Sequence, residues 1–86
     1  MAIITHYFNG RTDYPDQYMR VDRVDTNKTN MRIEIGVYLN EQMARDNIPP
    51  HSIEELYGDF DLYSTKNAWE QAYDRIKQKW QNYTDA

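Results

Sequence analysis

Eighty-six residues carrying a net charge of −4 and no cysteine describe one small domain, 1–86, with no disulfide, no thiolate ligand and no thiol nucleophile. A chain of this length buries roughly 60–65% of the surface its unfolded form exposes, so its stability is modest or is completed by a partner. Fourteen acidic against ten basic residues, with no clustered basic face, argue against nucleic acid as a partner, and no apolar run approaches the roughly 18 residues of a membrane span.

Residues 2–8, AIITHYF, are β-branched and aromatic and end at Asn9-Gly10, which predicts a short strand. They have neither the basic start nor the small-residue cleavage site of a secretion signal. Residues 9–17 hold the turn formers Asn9, Gly10, Asp13 and Pro15 and read as a polar loop. The clearest pattern is MRIEIGVYL, residues 31–39. Met31, Ile33, Ile35, Val37 and Leu39 alternate with Arg32, Glu34, Gly36 and Tyr38, a strand with the first set inward and the second toward water. Residues 18–24 alternate more weakly, with Met19 and Val21 inward. The intervening TNKTN makes the pair an antiparallel hairpin. Charge selects a register: one alignment sets Asp22 against Glu34, whereas a shifted one sets Arg20 against Glu34 and Asp22 against Arg32. The second is expected, with Val21 facing Ile33, Met19 facing Ile35 and Val24 in a wide loop or bulge.

Residues 40–51 have room for one helical turn around Met43 and Ala44, capped by Asn40 and stopped by Pro49-Pro50. Residues 52–63 carry two signals. Ser52-x-x-Glu55 has the form of a capping box, while Leu56, Phe60 and Leu62 share strand parity against Asp59 and Asp61; a strand over 55–62 is favoured. A helix over 65–83 follows, capped by Ser64. Trp69, Ala72, Tyr73, Ile76, Trp80 and Tyr83 form its apolar stripe, and Lys77 and Lys79 lie near its C-terminal end. The resulting fold class is α+β: a small antiparallel sheet, the long hairpin plus one or two further strands, covered on one face by the C-terminal helix. Met19, Val21, Ile33, Ile35, Val37, Leu56, Phe60 and the Trp69–Trp80 stripe are its expected core.

Chemistry-bearing patterns are sparse. His6 and His51 have no second ligand at metal spacing, and Asp59-x-Asp61 is followed by Leu62 and Tyr63 where a calcium loop needs further oxygens. Glu54, Glu55, Asp59 and Asp61 mark no pocket, and the three glycines stand alone. No catalytic, metal or cofactor residue is therefore assigned, and the chain is expected not to be an enzyme. Eight tyrosines carry the remaining signal, because tyrosine joins a large apolar ring to a polar tip, which suits interfaces and equally suits the margins of a small core. With the helix stripe given to the core, Tyr7, Tyr14, Tyr38, Tyr57 and Tyr63 are the candidate protein interface. Charge is also unevenly spread: residues 41–63 carry a net −5 and residues 64–83 a net +2, an asymmetry that suits head-to-tail packing of copies in a ring.

The hairpin YMRVDRVDTNKTNMRIEIGVYLN, followed by FDLYSTKNAWEQAYDRIK, resembles a type of small protein encoded among the tail and virion genes of tailed bacteriophages. The matching positions are Tyr18, Arg20, Val21, Val37, Tyr38, Phe60, Gln71, Ala72, Tyr73, Ile76 and Lys77. The acidic connector 41–55 is longer than that type has. The resemblance implies a non-enzymatic structural protein of the virion, made in the host cytoplasm and placed at the tail or its attachment region. It would act in multiple copies through contacts with itself and other virion proteins, with no membrane and no nucleic acid as partner. The alternative of a different class is a small phage-encoded inhibitor of a host defence enzyme; ten basic residues argue against a DNA mimic of that kind.

Overall fold

The computed structural model describes residues 2–86. The chain runs β1 (Ile3–Phe8), β2 (Asp13–Thr26), β3 (Asn30–Tyr38), α1 (Glu41–Arg45), β4 (Ser52–Asp59), α2 (Ala68–Lys79) and β5 (Tyr83–Asp85). All neighbouring strands are antiparallel and stand in the order β4-β3-β2-β1-β5. The expected α+β architecture is present: Ala72, Tyr73 and Ile76 of α2 pack onto Ile3, Met19, Val21, Met31, Ile33, Ile35 and Val37 of the sheet.

The alternation of β3 sets this face. Met31, Ile33, Ile35 and Val37 lie buried beneath the helix, as their spacing predicts. The other face is not simply wet. Tyr38 is 4% exposed and Gly36 is buried, because Asp22, Arg20 and the Tyr38 ring fold over the glycine. A Cβ at position 36 would stand 2.7 Å from the Tyr38 ring. Gly36→Ala is expected to displace this cluster and cost about 1–3 kcal/mol in urea unfolding; an unchanged midpoint would show that the cluster yields freely.

The register differs from the one that charge alone selects. Met19 faces Val37 and Val21 faces Ile35; after a one-residue bulge at Asp22, Arg23 faces Glu34, Val24 faces Ile33 and Asp25 faces Arg32. The strands do avoid opposing Asp22 to Glu34, but by ejecting Asp22 from the ladder rather than by sliding. Val24 is accordingly a paired, partly buried strand residue and not part of a loop.

Four elements also differ in their boundaries. β2 starts at Asp13, inside the expected loop, and a second bulge opposite His6 takes up Pro15 and Asp16, the latter with φ +53°. Leu39 is exposed because β3 ends at Tyr38 and the chain turns into α1, which Asn40 caps as expected. Strand β4 covers 52–59 rather than 55–62, so Ser52 begins a strand instead of capping a helix and Leu62 is exposed. Helix α2 is capped by Asn67, not Ser64. Its side chain accepts from the Glu70 amide at 2.9 Å and Glu70 returns the bond. The helix stops at Trp80, and Tyr83 belongs to β5 along the free edge of β1. Trp69, expected in the core, is 47% exposed, while Trp80 packs partly against it.

Candidate interaction surface

The five candidate tyrosines separate into two groups. Tyr7 and Tyr38 are buried, at 3% and 4% exposed, so neither ring is available to a partner. Their burial is the correction the structure makes to the expected interface. Tyr14 is half-buried, whereas Tyr57 and Tyr63 are 70% and 93% exposed.

Tyr7 closes the end of the core that α2 does not reach. It lies on β1, yet its hydroxyl meets Ser52 at 2.9 Å and donates to the Glu54 carboxylate on β4, three strands away in the sheet. The β1–β2 hairpin tip therefore curls across the apolar face, bent at the Pro15-Asp16 bulge. The Tyr14 ring stacks beside Tyr7 and lies 4.6 Å from His51, whose Nε2 is 2.7 Å from Gln17 Oε1. His6 sits elsewhere, 3.1 Å from Asp13. Among the described residues no three of His, Asp and Glu converge as metal ligands.

Tyr38 accepts from Arg20 Nη2 and donates to Asp22, both at 2.9 Å, with the guanidinium 5.0 Å above its ring. Tyr73 accepts the Val21 amide at 3.1 Å, a group left without a strand neighbour because β1 pairing stops at Ile3–Met19. Burial first, and then in Tyr7 and Tyr38 a carboxylate partner, raises the hydroxyls of Tyr7, Tyr38 and Tyr73 above the ordinary value of 10.0. The fold thus binds these protons more tightly than the unfolded chain does. Its stability from them is whole below about pH 10 and is lost as pH rises through the raised values. Alkaline titration followed by tyrosinate absorbance and circular dichroism should show these three ionising together with unfolding; ionisation of all eight in an intact fold near pH 10 would contradict this.

Charges on α2 are engaged within the chain. Lys66 meets Asp74 at 2.7 Å and Lys77 meets Asp85 at 3.1 Å, while Arg75 lies over Gly58 and donates to the Asp59 carbonyl at 3.3 Å. The basic excess expected to face a neighbour in a ring is largely spent on this protein's own acids. Gln71 has a structural task, bonding the Asp61 amide, the Asp61 carbonyl and the Lys66 carbonyl, each at 2.9 Å, and so tying the 61–66 connector to the helix.

What remains open is the outer side of β4. This eight-residue strand forms one edge of the sheet and has no strand beyond it among the described residues. Its side chains alternate: Ser52, Glu54, Leu56 and Gly58 turn to the helix side, and Ile53, Glu55, Tyr57 and Asp59 lie exposed on the other. Arg32 on β3 binds the Glu55 carboxylate, which also accepts from the Tyr57 hydroxyl at 3.1 Å; the Arg32 bond and then the Tyr57 bond hold the Glu55 carboxyl below its usual range. Ile53 is 56% exposed. Tyr63 and Leu62, both exposed, follow directly after the strand. Sequence reasoning found Tyr57 and Tyr63 but not Ile53, whose exposure depends on strand parity that the Ser52-x-x-Glu55 pattern masked. No protein-family model matches this chain, and no curated protein or solved structure matches it either. Among the described residues no helix is long and apolar enough to cross a membrane.

Proposed function

We propose that this chain is a non-enzymatic assembly protein of a tailed-bacteriophage virion, placed at the tail or its attachment region and acting in multiple copies. The observation that carries the reading is the unpaired β4 edge, eight residues long, free of proline and bulge, and flanked by exposed Ile53, Tyr57, Leu62 and Tyr63. Globular proteins blunt such edges with lysine, proline, bulges or a covering element. Here it is left straight and partly apolar, which suits addition of a strand from another chain. The virion setting rests on the resemblance carried by Tyr18 through Lys77. Several of those positions, Val21, Val37, Ala72, Tyr73 and Ile76, form the core, so what they have in common with that type of protein is the frame that holds the edge. Mass spectrometry of purified particles from the phage encoding this chain is expected to find it at several copies per particle. Its absence from particles, with stoichiometric capture of one host enzyme from lysate, would overturn the reading in favour of an inhibitor.

A further inference from the structure

We infer that the occupant of the β4 edge is β4 of a second copy, paired antiparallel about a two-fold axis through Leu56, which joins two five-stranded sheets into one of ten. The inference rests on the self-assembly reading and adds to it the surface, the symmetry and the register. The Phe60 amide donates to the Thr29 carbonyl, in step with the Asn30–Asp59 pairing, so Leu56, Gly58 and the other even positions turn their amides to β3. The Val21 amide, turned away from β3 to Tyr73, requires the same phase, since it leaves Ile35, opposite Val21, to bond Glu54. Ile53, Glu55, Tyr57 and Asp59 therefore point their amides and carbonyls outward in regular alternation; the Asp59 carbonyl already accepts one bond from Arg75 and has its second lone pair for a partner strand.

Charge and overlap then select the register, since centring on Ile53 or Gly58 pairs only three residues of β4. A two-fold pairing that keeps both helices on the same side of the joined sheet centres on a single residue. Centred on Glu54 it opposes Glu54 to its own copy, and centred on Glu55 it opposes Glu55 to its own copy. Centred on Tyr57 it opposes Glu55 to Asp59. Like charges directly opposite are destabilising in each case. Centred on Leu56, no acid faces an acid: Leu56 meets Leu56, Glu55 meets Tyr57, Ile53 meets Asp59 and Glu54 meets Gly58. That last pair is complementary, because Arg75 lies over Gly58, its Nε 3.0 Å from where a Cβ would stand. Each Glu54, already accepting from Tyr7, has its carboxylate brought to the guanidinium of the other copy. A side chain at 58 would push that guanidinium away, which gives the glycine a purpose inside a strand.

The chain has no cysteine, so single cysteines report the register directly. Leu56→Cys places two thiols on a non-hydrogen-bonded pair about 4.5 Å apart at Cα, within disulfide range. Mild oxidation should convert it to linked dimer, whereas Glu55→Cys and the exposed control Tyr63→Cys should stay at background. Because Leu56 also packs against the core, charge at exposed position 57 gives a second test. Tyr57→Lys, facing Glu55 of the other copy twice, should tighten the dimer by roughly tenfold in sedimentation, and Tyr57→Glu should weaken it by a similar factor. Cross-linking at Glu55→Cys instead, or weakening by both charges, overturns the register. A dimer insensitive to all of these overturns the β4 surface and leaves self-assembly standing. A wild-type chain that is monomeric up to about millimolar concentration overturns both.

Discussion

Tyr7→Ala should lower unfolding stability by about 3–5 kcal/mol, the cost of truncating a buried aromatic. A domain of this size holds roughly 4–13 kcal/mol in total, so the loss is a large share of its stability and the unfolding midpoint should fall well below that of the parent chain. The loss has two parts that a second variant separates. Tyr7→Phe keeps the ring against the core but leaves the Glu54 carboxylate without its donor, a loss of about 1–3 kcal/mol. The larger remainder is the ring itself, because Tyr7 is what covers the end of the apolar face beyond α2. Denaturant unfolding of both variants measures this. If Tyr7→Ala costs no more than Tyr7→Phe, the hairpin tip is an ornament and the core is closed by the helix alone.

Ile76→Ala is the counterpart at the other end and should cost about 2–5 kcal/mol. Ile76 is fully buried and sits in the middle of the only apolar face of α2, between Ala72 and Tyr73 on one side and the partly buried Trp80 on the other. Trp69→Ala, by contrast, should cost much less, because almost half of that side chain already meets water. The comparison is informative because a stripe drawn on a helical wheel gives the tryptophan the greater weight. A larger loss for Trp69→Ala than for Ile76→Ala, read by urea unfolding, would mean that α2 is rotated from its observed setting.

The contrast between these residues shows which features the sequence carries. Strand β3 was legible because one of its faces is dry along its whole length, so a two-residue period survives from Met31 to Val37. The same period misplaced Tyr38, since periodicity assigns a face and not the depth at which that face is covered. Arg20 and Asp22 and the end of α1, through the Ala44 carbonyl that Arg20 binds, cover that part of the second face. Charge pairing predicted a slide of the hairpin, but a bulge removes one bad contact without disturbing the apolar pairs on either side. Strand β5 is three residues long, too short for any period, and exists because α2 delivers it to the edge of β1. The cap at Asn67 was written in the chain as Asn67-x-x-Glu70, though Ser64 offered the same chemistry three residues earlier. The Tyr7–Glu54 contact joins residues 47 apart through the curl of a hairpin, and no local pattern encodes it.

Exposure decides the rest of the interface. A high tyrosine count suits either an interface or the margin of a small core; Tyr73 joins the core as its helical spacing predicts, and Tyr7 and Tyr38, expected at the interface, are buried as well. Lys66, Lys77 and Arg75 are likewise already engaged within the chain, so the charge split between 41–63 and the helix is met largely by the protein itself. What survives is one strand with alternating amides turned outward and a register that its own charges choose.

Amide hydrogen exchange along β4 tests this most directly. At high concentration, slow exchange is expected at every position from Ile53 to Asp59. On dilution, Ile53, Glu55, Tyr57 and Asp59 should become fast while Glu54, Leu56 and Gly58 stay protected by β3. Fast exchange at the odd positions, in a sample whose measured mass is that of a dimer, would contradict it.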